Sequence, residues 1–341
     1  MKATVLGCGR WGSFITWYLS EQGIPVTEWG RENSRAYNAL LEKRENEYVR
    51  LADSVRLTSD LAEAIAAADT VFISIQSQGL RELAARAREA GAAEKTVVLC
   101  MKGLEEESGK RLSEIMIDCG YDPARLAVWV GPGHIQEFTA GHPNCMVIDG
   151  YDSTLVHTLV DTLKSDLIRF YYGDDIIGSE IGAAAKNVMG IAAGILDGGG
   201  FSSLKGPLMA RGAREVGRLI GAMGGSELSA YGLCHLGDYE TTLFSPYSHN
   251  RRFGEEFYSG RSREIELSHL NGSIELAPLL GLSDVIVDIV ETGTTLKENE
   301  LAVLTEFMPI SARFIANRSS YQFKHAEIET LLGKLAEVIG K

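Results

Sequence analysis

In the first half of the chain, apolar residues fall in short continuous runs separated by stretches of helical periodicity. Met1-Lys2-Ala3-Thr4-Val5-Leu6 reads as a short buried strand, and residues 13–19 as an apolar helix. Pro25-Val26-Thr27-Glu28-Trp29 predicts a second strand, and residues 34–44 a second helix. Ser59 is expected to cap a helix over 60–68 that carries acids in its first turn. Thr70-Val71-Phe72-Ile73-Ser74 has the continuous apolar character of a strand buried on both faces. Residues 80–90 predict a helix, and Thr96-Val97-Val98-Leu99 another strand. Strands over 127–130, 145–148 and 168–171 continue the series. Strands alternating with helices predict a doubly wound, parallel α/β sheet. From residue 176 helical patterns dominate, with breaks at 198–206 and 244–249. The expected organisation is an α/β domain over residues 1–175, then a mostly α-helical substrate and catalytic domain over 176–341.

Gly7-Cys8-Gly9-Arg10-Trp11-Gly12 lies between the first strand and the first helix. In that context G-x-G-x-x-G predicts a Rossmann-type dinucleotide site. Gly7 makes the tight turn, Gly9 lets the backbone approach a pyrophosphate, and Gly12 lets the helix pack close to the strand. The free N–H groups and positive end of the helix then face the phosphates. An ordinary glycine-rich turn is the bland alternative, and the flanking strand and helix weigh against it. Such sites are tuned at the end of the second strand, where an acid takes the ribose 2′-OH and an arginine a 2′-phosphate. The sequence there is Glu28-Trp29-Gly30-Arg31-Glu32, which offers both, so NAD and NADP both remain open.

The 341 residues are enough for two domains, with 45% apolar and 23% charged residues. A formal net charge of -13 argues against a nucleic-acid surface. The five cysteines are odd in number and form no C-x-x-C pair, which fits a reducing cytoplasm. Cys8 reads as a small filler in the glycine loop. Met1 leads almost directly into the first strand, so no signal peptide is expected. The most apolar long run, 176–196, contains Glu180 and Lys186 and reads as a buried helix rather than a membrane span. The histidines form no H-x-x-x-H or H-E-x-x-H pair, so no metal site is expected. Without a G-x-S-x-G elbow, a serine hydrolase is set aside.

Two lysines and an aspartate carry the chemistry. Lys102, in Met101-Lys102-Gly103-Leu104-Glu105, follows the carboxyl end of a strand, the edge where open α/β sheets bind ligands. Lys186 sits in Gly182-Ala183-Ala184-Ala185-Lys186-Asn187-Val188-Met189-Gly190, where Gly182 and Gly190 share its helix face. These glycines are expected to leave open space beside the ammonium. A lysine among small apolar residues is rarely buried without a partner or ligand, although it can also snorkel to the surface. Asp238, in Leu236-Gly237-Asp238-Tyr239, is a candidate orienting carboxylate, and Ser248-His249-Asn250-Arg251-Arg252 a candidate phosphate cluster or a solvated helix start.

Together these motifs resemble the NAD(P)-dependent sn-glycerol-3-phosphate dehydrogenases. The resemblance rests on the glycine loop, Lys102-Gly103-Leu104-Glu105, Gly131-Pro132 with Glu137, the Lys186-Asn187 helix, Gly237-Asp238 and Asn250-Arg251-Arg252-Phe253-Gly254. It implies reversible reduction of dihydroxyacetone phosphate to sn-glycerol 3-phosphate for glycerophospholipid synthesis, in a homodimer. It implies Lys186 as the proton-transferring group, with Lys102 and Asp238 beside it. Gly131, Gly133, Asn187, Ser248, His249 and Asn250 fall on the substrate side. Arg10, Trp11, Arg31, Lys102, Ile135, His249 and Glu291 fall on the cofactor side. Two positions depart from the pattern. Gly133 stands where Ser or Thr usually follows Gly-Pro, and His249 stands where an arginine is expected to grip the substrate phosphate. Three groups are candidates to compensate: the Asn250 side chain, backbone N–H groups of a helix starting near Ser248, and a shifted Arg251; a protonated His249 would add charge, most readily below about pH 6.5. The departures keep open a related dehydrogenase for another small hydroxy compound. A non-catalytic dinucleotide sensor is the third reading, but it would not need Lys102, Lys186, Asn187 and Asp238.

Overall fold

The structure, a computed structural model, describes residues 1–259, all within the first of two units, Met1–Ser268 and His269–Lys341. Strand Ala3–Leu6 (β1) leads to helix Arg10–Glu21 (α1), then Val26–Trp29 (β2), Arg35–Lys43 (α2), Arg56–Thr58 (β3) and Leu61–Ala66 (α3). The chain next forms Thr70–Ile73 (β4), Leu80–Glu89 (α4), Thr96–Leu99 (β5), Leu112–Asp118 (α5) and Leu126–Val130 (β6). Ile135–Thr139 (α6), Asn144–Gly150 (β7), Ser153–Leu163 (α7) and Ile168–Tyr172 (β8) complete the sheet. Helices Ile176–Gly198 (α8), Lys205–Ala222 (α9) and His249–Tyr258 (α10) follow.

The eight strands lie in the order β3-β2-β1-β4-β5-β6-β7-β8. From β3 to β6 all neighbours are parallel, as the apolar runs predict. The expectation of a parallel sheet stops there: β7 runs antiparallel to β6, and β8 runs parallel to β7. The five-residue α6 turns the chain back instead of carrying it across the sheet, as a parallel crossover would require. Period two sends successive residues to opposite faces. Val5, Phe72 and Trp129 therefore enter a core with Phe14, Tyr18 and Phe170, while Leu6, Ile73 and Val130 enter the core on the other face.

A second difference concerns the cap of α3, which is Asp60 and not Ser59. The Asp60 carboxylate accepts from the N–H groups of Ala62 and Glu63, whereas the Ser59 carbonyl accepts from Trp29 Nε1. α10 crosses α8 at backbone contact. A Cβ on Gly194 would lie 1.9 Å from the Arg251 carbonyl oxygen, and one on Gly254 would lie 2.1 Å from that of Ile191. Among the described residues, no helix is long and apolar enough to cross a membrane.

Candidate active site

Strands β1 and β4 are sheet neighbours but not chain neighbours, so the order reverses between them. That switch point opens a crevice at the carboxyl ends of the strands. The glycines there divide their work. Gly7 has φ +121°, and a Cβ on it would lie 2.2 Å from the Ser74 carbonyl oxygen. A Cβ on Gly12 would lie 1.8 Å from the Gly7 carbonyl oxygen. Both close the turn against protein. Gly9 differs, with an ordinary extended φ of -77° and no heavy atom within 4 Å of its would-be Cβ. It caps α1 without a side-chain hydrogen bond, so the first amides of the helix face that open space. This cradle fits a pyrophosphate.

Around it, Trp11 packs on Phe14 and Trp129, with ring centroids 4.9 and 6.4 Å away. Ile135 is buried in the core where α6 begins. Cys8 is buried, and burial pushes its thiol pKa up, as suits an inert filler. Arg31 and Glu32 are exposed just beyond β2. Glu28 does not reach the rim as a ribose acid would. It lies inside the fold and accepts from Ser13 Oγ at 2.9 Å. Burial pushes its carboxyl pKa up to about 8.

Lys102, just past β5, and Lys186, in α8, converge on one oxygen of Asp238. Lys102 Nζ donates to Asp238 Oδ2 at 2.8 Å, and Lys186 Nζ lies 2.5 Å from the same atom. Lys102 also donates to the Gly131 carbonyl oxygen at 3.1 Å, beyond the end of β6. Lys186 also donates to Thr242 Oγ1 at 3.0 Å. The other carboxylate oxygen of Asp238 accepts from Thr241 Oγ1. The aspartate side chain is 1% exposed and that of Lys186 is 11%, so both charges have left bulk water. Burial, and then the Lys102 ammonium, push the Lys186 pKa down to about 7 against the opposing pull of Asp238. Burial raises the Asp238 carboxyl pKa, but the two lysines outweigh it and hold the pKa below the usual range. Lys186 is thus an acid and a base near neutrality, at the edge of the crevice formed by the strand ends.

The remaining predicted residues sort by what they touch. Asn250 Nδ2 donates to Asn187 Oδ1 at 2.9 Å, joining α10 to the residue after Lys186. Ser248 spends its hydroxyl accepting from Arg251 N–H as the cap of α10. Gly131 and Gly133 both have positive φ, +128° and +144°, and a Cβ on Gly133 would strike the Phe138 ring. That ring occupies the space of a serine or threonine side chain. Two expectations fail. Gly182 and Gly190 do not open space for the ammonium: their would-be Cβ atoms meet His235 at 3.1 Å and Thr242 at 2.9 Å, so they admit neighbouring segments. Arg251 is not shifted toward a phosphate but pairs with Asp197 at 2.8 Å and Glu255 at 3.0 Å. Sequence reasoning missed Thr242 and His134, whose Nε2–H donates to the Thr241 carbonyl oxygen at 2.7 Å. Neither carries a motif, and only the fold brings them to the lysines. Glu291 lies outside the described residues.

Comparison with known proteins places the chain in a family. The family model of the NAD-dependent glycerol-3-phosphate dehydrogenase N-terminus matches residues 2–156, and that of the C-terminus matches residues 175–281. A third model, ATP phosphoribosyltransferase, matches residues 248–337. The glycerol-3-phosphate dehydrogenase [NAD(P)+] of Chlorobium phaeobacteroides (strain BS1) is 34% identical over 277 residues, 80% of this chain and 83% of that protein. The protein of that name from Deinococcus radiodurans is 39% identical over 264 residues, 76% of this chain and 78% of that one. The solved glycerol-3-phosphate dehydrogenase of Coxiella burnetii superposes with a TM-score of 0.71 at 27% identity, covering 77% of this chain and 82% of that one.

Proposed function

We infer the role of each group from one premise: the chain belongs to the NAD(P)-dependent glycerol-3-phosphate dehydrogenase family. It is an NAD(P)-dependent oxidoreductase, and its reaction is the reversible reduction of dihydroxyacetone phosphate to sn-glycerol 3-phosphate. The observation that carries the assignment of roles is the convergence of Lys102 and Lys186 on Asp238.

The open side of Gly9 and the first amides of α1 would hold the pyrophosphate of a reduced nicotinamide dinucleotide, which when bound would supply the hydride. Lys186 donates a hydrogen bond to the ketone oxygen and passes it a proton as negative charge develops there. Lys102 adds a second cation and keeps Lys186 easy to deprotonate. Asp238 holds both ammonium groups, and Asn187 with Asn250 forms a polar wall for the substrate. Residues 1–175 thus serve the dinucleotide, and the part from 176 onward brings the proton donor. Family membership also supports a cytoplasmic homodimer that supplies glycerophospholipid synthesis. Light scattering of the purified chain tests the dimer. Loss of reduced-cofactor absorbance on adding dihydroxyacetone phosphate tests the reaction, and Lys186→Met should slow that loss by at least about a hundredfold while cofactor still binds. A Lys186→Met protein of normal turnover would remove the lysine from proton transfer.

A second reading applies to the C-terminal stretch alone, on the ATP phosphoribosyltransferase match over 248–337. The apolar run Val285-Ile286-Val287-Asp288-Ile289-Val290 leads into Glu291-Thr292-Gly293-Thr294-Thr295. A glycine among hydroxyls suits a phosphate. On this reading Glu291 serves a nucleotide or phosphoribosyl group instead of NAD(P). Glu291→Ala should then leave the Kd for NADPH unchanged and weaken calorimetric binding of ATP. A weakened NADPH affinity would return Glu291 to the dehydrogenase site.

A further inference from the structure

His249 stands where the family pattern places an arginine, and a neutral imidazole cannot replace a planar cationic fork. The fold brings another guanidinium to the same spot. Arg10, the first residue of α1, approaches His249 across 239 positions of sequence, with Nη1 2.5 Å from the imidazole Nε2. A guanidinium has only N–H groups to offer. His249 Nε2 is therefore the acceptor, and the ring is neutral with its proton on Nδ1. Burial and the Arg10 charge both lower the His249 pKa, in keeping with that tautomer. On its other side Arg10 lies over the Tyr48 ring, its guanidinium carbon 5.0 Å from the centroid.

Every other cation near this end of α8 and α10 has a carboxylate. Lys102 and Lys186 share Asp238, Arg251 holds Asp197 and Glu255, and Arg252 lies 3.7 Å from Glu256. Among the described residues, no carboxylate pairs with Arg10. The next residue after His249 is Asn250, whose amide reaches Asn187 beside Lys186. The first turn of α10 therefore lies between Arg10, which makes no ion pair among the described residues although Glu47 lies nearby, and Asn187 beside the proton donor.

We propose that Arg10, braced by Tyr48 and aligned by His249, grips the substrate phosphate in place of the arginine absent from position 249. The inference rests on the dihydroxyacetone phosphate reading above. The same chemistry would also serve a phosphate of the dinucleotide, so the test separates the two. Arg10→Met should raise the KM for dihydroxyacetone phosphate by about ten- to hundredfold, as expected for loss of a charged hydrogen bond. The Kd for NADPH, read by fluorescence titration, should change far less than that KM, although the sequence motif places Arg10 on the cofactor side. The double variant Arg10→Ser, His249→Arg should recover the affinity, which a folding role for Arg10 would not allow. A loss of NADPH affinity with an unchanged substrate KM would assign Arg10 to the cofactor and overturn the proposal. A failed recovery would do the same. If the unaltered protein does not reduce dihydroxyacetone phosphate at all, the functional reading falls and takes the grip with it.

Discussion

Replacing Asp238 by asparagine should move the pH dependence of the reaction without dismantling the site. Asparagine keeps the shape and still accepts from Thr241 Oγ1, but it removes the one negative charge that Lys102 and Lys186 share. The Lys186 pKa, pushed down to about 7 by burial and Lys102, would then lose its upward pull. Unit charges about 4 Å apart interact by about 4 kcal/mol at an effective dielectric of about 20. One pKa unit is about 1.4 kcal/mol, so an interaction of this order is worth about three units, and sharing of the carboxylate with Lys102 reduces it. The variant's Lys186 therefore titrates below that of the unaltered protein. The sign follows from the direction of reaction. Ketone reduction needs the ammonium, so kcat/KM falls as pH rises through about 7 in the unaltered protein. In Asp238→Asn the fall should begin at correspondingly lower pH. Alcohol oxidation needs the free amine, so its limb rises through about 7 and should become flat there in the variant. Lys186→Met is the control, with the limb gone and turnover reduced by about 10²–10⁴-fold. Limbs that stay in place in Asp238→Asn, in both directions, would show that Lys186 is not the titrating group.

Gly9→Ala should fold with an unchanged melting temperature, because its φ is ordinary and its Cβ meets no protein atom, yet lose most NADPH affinity in a fluorescence titration. Gly7→Ala should fail at the earlier step and unfold at lower temperature, its Cβ forced to 2.2 Å from the Ser74 carbonyl oxygen. Glu28→Gln should flatten the fall of stability with pH. The buried carboxyl, with its folded pKa near 8, stays protonated while the unfolded chain ionises above about pH 4.5, so it contributes full stability only below that value and loses it as pH rises toward 8. Thermal melts of both proteins at pH 5 and pH 8.5 check this, and equal pH slopes would refute it.

What the sequence made legible, and what it hid, follows from the range of the interactions. The parallel strands β1, β4 and β5 could be read because burial on both faces leaves an unbroken apolar run. β3 could not, since Arg56-Leu57-Thr58 is a strand only by pairing with β2. Ser59 and Asp60 are both capping residue types, and only backbone geometry decides between them. Glu28 shows how much one position in a pleat matters. A carboxylate near a strand end reads as a ribose ligand, but Trp29 is the last residue of β2, and the Glu28 side chain turns to Ser13 under the first turn of α1.

The helix glycines carry a similar ambiguity. Gly182, Gly190, Gly194 and Gly198 are spaced by multiples of four, so the sequence announces that something approaches that face of α8 closely. It does not say what approaches. Room for an ammonium and its ligand was one answer; the fold gives His235, Thr242 and the backbone of α10 instead. That answer has a consequence for the chemistry. Because α10 rests backbone to backbone on α8, its first turn is fixed relative to Lys186, and His249 and Asn250 are fixed with it. The residue types Lys102, Lys186 and Asp238 could be picked out one by one, since each is unusual where it stands. Their meeting at a single carboxylate oxygen, and the meeting of Arg10 with His249, depend on segments far apart in the chain that neither propensity nor spacing encodes. The glycine spacing that misled about open space is what makes those meetings rigid. A Gly254→Ala change, whose Cβ would meet the Ile191 carbonyl oxygen, should therefore disturb catalysis by displacing the first turn of α10, although Gly254 touches no reacting group.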